Sequence, residues 1–94
     1  MWKEYAGELG FEPYPGTLNV KLREVFPKFG EGKRMYNFTC YPGWLIINDK
    51  KIQAYFCVHP KGEVRTVFAL APVGIRERFG LKDKSRIRVQ VGGD

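Results

Sequence analysis

The sequence predicts an all-β fold with minor α content: a small β-barrel of five to six short strands carrying two short helices. Three observations predict it. Several short stretches alternate apolar with polar side chains, the period-2 signature of strands that bury one face. Prolines and glycines punctuate these stretches at close intervals. Helical spacing is confined to residues 2–9 and 73–79. With 94 residues the chain makes a single domain, 1–94, whose core is large enough to fold alone.

In chain order, Trp2, Tyr5, Ala6 and Leu9 recur at helical spacing, with Gly10 as the stop. Pro13 and Pro15 hold the next segment extended, and Pro15-Gly16 reads as the centre of a type II turn. Leu18, Val20 and Leu22 then alternate with Thr17, Asn19 and Lys21, a strand running to about Arg23. Glu24–Phe29, with Pro27, is a connecting loop. Gly30-Glu31-Gly32-Lys33 is glycine-rich like a phosphate cradle, but it leads into the alternating stretch Arg34–Cys40 and lacks the helix a P-loop needs, so it reads as a plain hairpin. Tyr41-Pro42-Gly43 is expected to break the strand before Trp44–Asn48, and Asn48-Asp49 to form a tight turn.

From Lys51 to Val58, Ile52, Ala54, Phe56 and Val58 mark one core face. His59–Gly62 is a turn and Val64–Leu70 a further strand. Pro72 opens a short helix, Val73–Phe79, closed by Gly80. Asp83-Lys84-Ser85 turns into a last strand, Arg86–Val91.

Composition narrows the function classes. Hydrophobic residues at 44% and aromatics at 15% are those of a globular domain. A formal charge of +6 points to an anionic partner, either nucleic acid or a nucleoside triphosphate. The basic residues are spread along the chain, with Trp2, Tyr14 and Trp44 as exposed-looking aromatics among them, a composition that oligonucleotide-binding barrels share. No apolar run approaches a bilayer span and no basic-then-apolar leader opens the chain, so a cytoplasmic protein without membrane contact is expected. Cys40 and Cys57 are too few for a zinc site and read as small buried hydrophobes. Asn37-Phe38-Thr39 is a chance glycosylation triplet. His59 is the only histidine, so no Ser/His/Asp or Cys/His constellation forms.

Two places carry candidate chemistry. Thr17 and Asn19 project from one face at a strand start, beside a rigid turn. Their neutral oxygens suit a magnesium ion whose remaining charge is met by phosphate. On spacing alone, stabilising the turn with no ligand is the commoner role of such a pair, since polar residues abound at turns. A helix opening after Pro72 directs backbone N–H groups outward, a seat for phosphate, with Arg76 placed to add charge-assisted bonds.

Leu9-Gly10-Phe11-Glu12-Pro13-Tyr14-Pro15-Gly16-Thr17-Leu18-Asn19 closely resembles the G-F-x-P-Y-x-G-T-L-N segment of the archaeal CTP-dependent riboflavin kinases. Ala71-Pro72-Val73-Gly74-Ile75-Arg76-Glu77-Arg78-Phe79-Gly80-Leu81-Lys82-Asp83 looks like that family's A-P-x-x-L-R-x-x-x-x-L-K-D, in the same order and at a matching separation. The resemblance implies a barrel of the cradle-loop type and phosphoryl transfer from CTP to riboflavin, giving FMN, or to a related small alcohol. It implies that Thr17 and Asn19 hold Mg²⁺ and that Val73, Gly74, Ile75 and Arg76 contact the nucleotide. It designates no catalytic side chain, since such catalysis is largely positioning and charge stabilisation.

The family's first strand and glycine-rich nucleotide loop have no counterpart in this sequence, so an open edge is expected, one to be paired, covered or supplied by a second copy in a homo-oligomer. Phe68 stands where the family has a flavin-contacting Glu, and the compact His59–Glu63 loop has no counterpart of a flavin-contacting Thr. Reduced or lost turnover of riboflavin is the expectation. The alternatives are a non-catalytic nucleotide- or flavin-binding module and a basic barrel that binds nucleic acid.

Overall fold

The computed structural model describes residues 2–14, 18–23, 32–58, 65–82 and 87–92, the side chain of Trp2 excepted. A 3-10 turn, Trp2–Tyr5, runs into helix α1, Ala6–Leu9, which ends at Gly10 in the left-handed region (φ 81°). The strands are β1 (Leu18–Lys21), β2 (Lys33–Met35), β3 (Phe38–Ile47), β4 (Lys50–Val58), β5 (Thr66–Leu70) and β6 (Arg88–Val91), with helix α2 (Ile75–Phe79) between β5 and β6. All pairings are antiparallel, in the order β1-β5-β4-β3-β2, and β6 also pairs with β3. The result is a curled half-barrel sheet with two short helices, the fold class the alternation predicts.

Strand β3 is the spine. One of its edges pairs with β4 over its length, while the other takes β2 through Phe38–Cys40 and β6 through Gly43–Ile46. Tyr41-Pro42-Gly43 therefore continues the strand instead of breaking it. The Pro42 carbonyl accepts from Gly92 N–H at 2.8 Å, so the proline nitrogen faces the same edge, in the seam between β2 and β6, where no donor is needed. Gly43 is required by packing: a Cβ there would overlap the Gln90 carbonyl oxygen and lie 2.6 Å from Phe56 Cε2. The stretch read as one strand over Arg34–Cys40 is instead a hairpin turning at Tyr36-Asn37. Tyr36 takes φ 54°, an uncommon conformation for a bulky residue. Its N–H donates to Tyr5 Oη (3.2 Å) and its hydroxyl donates to Glu4, pinning the turn to the N-terminal helical segment. Asn48 and Asp49, both at positive φ, make the tight β3–β4 turn as expected.

Two apolar clusters lie on opposite faces of the sheet. One gathers Val20, Tyr41, Leu45, Ile47, Ala54, Phe56, Val58, Val67, Ala69 and Ala71, with Ile75 of α2. The other places Leu9 of α1 over Met35, Cys40, Tyr55, Cys57 and Leu70. Strand β4 is thus buried on both faces from Ala54 to Val58, where alternation marked one. The expected strand Thr17–Arg23 is observed as Leu18–Lys21, Val64–Leu70 as Thr66–Leu70 and Arg86–Val91 as Arg88–Val91. The loops expected at Glu24–Phe29, His59–Glu63 and Asp83–Ser85 lie outside the described residues.

Candidate functional site

The two sequence blocks that carry the resemblance meet in space at Tyr14. Tyr14 N–H donates to the carbonyl of Ala71, the residue that follows β5, at 2.9 Å, and Leu18 pairs with Ala69 within β5. The Tyr14 ring sits against Gly74, where a Cβ would fall 2.8–3.2 Å from three ring carbons. Gly74 has φ −74° and ψ 99°, extended backbone open to any residue, so it is the ring that excludes a side chain here. The Tyr14 hydroxyl donates to Glu77 Oε2 at 2.8 Å. That bond, and then the nearby carboxylate charge, raise the Tyr14 pKa above its ordinary value.

Asn19 lies in β1 with its side chain exposed, directly opposite Phe68 of β5. Phe68 is half-buried and meets the Phe38 ring edge-on, centroids 4.7 Å apart. Phe68, the cross-strand neighbour of Asn19, thus belongs to an aromatic pair. Thr17, the other expected magnesium ligand, lies outside the described residues. Among the described residues no group of three or more His, Cys, Asp or Glu could hold a metal on its own.

Val73, Gly74, Ile75 and Arg76 follow β5 at the same end of the sheet. Helix α2 begins at Ile75, two residues later than expected, and is a single turn, so its dipole contributes little. Ile75 is 4% exposed and packs into the larger cluster, leaving only its backbone for a ligand. Val73 and Gly74 are half-buried and Arg76 is exposed. Gly80 closes the helix in the left-handed region, its N–H donating to the Arg76 carbonyl.

Sequence reasoning singled out residues 17, 19 and 73–76 and missed the pair that joins them, Tyr14 and Glu77. The signal was present in the proline-flanked aromatic of the first block and the small residue at 74 in the second. Of the other aromatics, Trp44 is half-buried with Lys51 Nζ 4.9 Å from its ring centroid, so it does not offer the open platform the composition suggested. No helix among the described residues is long and apolar enough to cross a membrane.

No protein-family model matches the chain. Among curated proteins it is similar to the riboflavin kinase of Methanoregula boonei, 32% identical over 108 residues that cover 98% of this chain and 48% of that protein. It is 31% identical over 107 residues to the riboflavin kinase of Thermococcus kodakarensis, covering 88% and 46% respectively. With that of Pyrobaculum calidifontis it shares 32% over 101 residues, covering 89% and 46%. The chain spans about half the length of the curated relatives it matches. Over nearly all of its own length, the chain is a relative of the archaeal riboflavin kinases.

Proposed function

We propose that this chain provides the nucleotide and metal portion of a riboflavin-kinase-type site, with CTP as the phosphoryl donor. In this reading Thr17 and Asn19 are the protein ligands of Mg²⁺, and Val73, Gly74, Ile75 and Arg76 receive the nucleotide, Ile75 through its backbone. The reaction moves the terminal phosphoryl group of CTP to a hydroxyl of riboflavin, leaving CDP and giving FMN. A magnesium ion bound there would neutralise phosphate charge; the neutral Thr and Asn oxygens suit it because phosphate supplies the anionic ligands. Arg76 adds a guanidinium at the exposed end of the same segment.

The observation that carries the reading is the contact between the two related blocks through Tyr14, Ala71, Gly74 and Glu77. Phosphoryl transfer depends on positioning, and this contact holds the metal-bearing strand against the nucleotide-bearing turn. Phe68 argues for weak use of riboflavin. An aromatic ring packed on Phe38 cannot accept the hydrogen bond that the family's carboxylate makes, a loss of about 1–3 kcal/mol for a buried polar contact.

Calorimetric titration with CTP and with ATP, each with and without Mg²⁺, tests the assignment, followed by an assay for FMN. The expected outcome is a preference for CTP that Mg²⁺ strengthens, loss of the metal-dependent part in Thr17→Ala with Asn19→Ala, and slow FMN formation. Sequence-indifferent oligonucleotide binding without CTP preference would overturn it in favour of a nucleic-acid-binding barrel.

A further inference from the structure

Nothing in Tyr14 itself is reactive toward a phosphate, yet it makes three specific contacts with the second block. Its backbone is fixed to Ala71, its ring to Gly74 and its hydroxyl to Glu77, although the residue is 39% exposed. An exposed tyrosine needs none of these for burial. Each contact instead reaches a different point of the 71–77 segment: the last residue before Pro72, the residue ahead of α2, and a residue within α2. Three points define the orientation of a rigid turn. The chain leaves Tyr14 and, four residues later, is registered at Leu18 on Ala69, one residue before Asn19.

We propose that Tyr14 is a positioning residue that couples the two halves of the site, so that metal bound beside Asn19 and nucleotide bound at 73–76 each strengthen the other through its ring and hydroxyl. This rests on the nucleotide and metal reading above and adds to it the residue that transmits between them. Gly74 is part of the device, because any larger residue would lift the ring from the turn. Glu77 completes it by fixing the ring's rotation with a charge-assisted bond. The coupling is reciprocal: whatever factor Mg²⁺ adds to CTP affinity, CTP adds to Mg²⁺ affinity.

The test is the ratio of CTP affinities measured with MgCl2 and with EDTA, on the whole 94-residue chain. In Tyr14→Leu this ratio is expected to fall by about fivefold or more, while the melting transition stays near that of the parent. Tyr14→Phe keeps the ring on Gly74 and should give an intermediate ratio, a partial rescue that a side chain serving only stability would not produce. A ratio unchanged in Tyr14→Leu, or equal losses with and without metal, would overturn the inference and leave the site assignment standing. Failure of the parent chain to bind CTP more tightly with Mg²⁺ would remove both, and the two failures are told apart by the parent titration alone.

Discussion

The two junctions that close this small fold are built on opposite principles. Where α1 meets the sheet, Leu9 is 2% exposed over Met35, Cys40, Cys57 and Leu70, each at 1% or less, and cohesion comes from excluded water. Cys40 and Cys57 are direct cross-strand partners with their sulfurs 2.7 Å apart. The Cys40 contact and then burial hold the Cys57 thiol well above the ordinary thiol range, so it remains neutral. Where Tyr14 meets α2, the contacts are directional and exposed, a ring on a glycine and a hydroxyl on a carboxylate. The first junction carries stability and the second carries geometry. Substitutions should therefore separate the two.

The largest expected effect is at Leu9. Leu9→Ala removes the centre of the covered face and should cost about 2–5 kcal/mol by denaturant unfolding. Labelling of Cys40 and Cys57 by a thiol reagent should accelerate accordingly, since it must wait for that face to open. Unchanged stability would show that α1 is an ornament of the sheet, and the contrast between the junctions would collapse.

A smaller effect belongs to the rim of the covered face. The Tyr36 hydroxyl donates to Glu4, and that bond first, then desolvation, pushes its pKa up to about 12 from 10.0. The protonated form is the one the fold favours. Its contribution is complete below the unfolded value near 10 and is lost as pH rises toward 12. Urea titrations of the parent and Tyr36→Phe should converge through that window, the parent losing more. Parallel curves would remove Tyr36 from the account of this junction.

Much of the fold was legible because alternation survives where one face is buried. Ile52, Ala54, Phe56 and Val58 do line the core, and the strand expected from Thr17 is observed from Leu18, while the Pro15-Gly16 turn before it lies outside the described residues. Burial of Cys57 was expected from its residue type, but that of Tyr55 was not legible, since its cover comes from a helix some 50 residues earlier and alternation records only one face. Pro42 looked like a break because local rules treat proline as one; the seam between two end-to-end partners that tolerates it exists only in the assembled sheet. The site divides in the same way. Asn19 and 73–76 are visible as motif residues, whereas the Tyr14–Glu77 bond joins positions 63 apart and depends on β1 finding β5.

That last pairing sets how long the site survives. Among the described residues β1 has a single neighbour, β5, whereas β4 is flanked on both sides. Opening an edge strand costs less than opening the sheet, so the 14–19 segment can detach while β3 and β4 remain paired. The lifetime of a competent site is then the lifetime of one strand's attachment, shorter than that of the fold. Amide exchange should report it directly, with the β1–β5 amides exchanging ahead of those between β3 and β4, and a bound nucleotide slowing the first set by mass action while leaving the second unchanged. Ligand affinity in such a molecule is tuned as much by how firmly an edge strand is held as by the groups that touch the ligand.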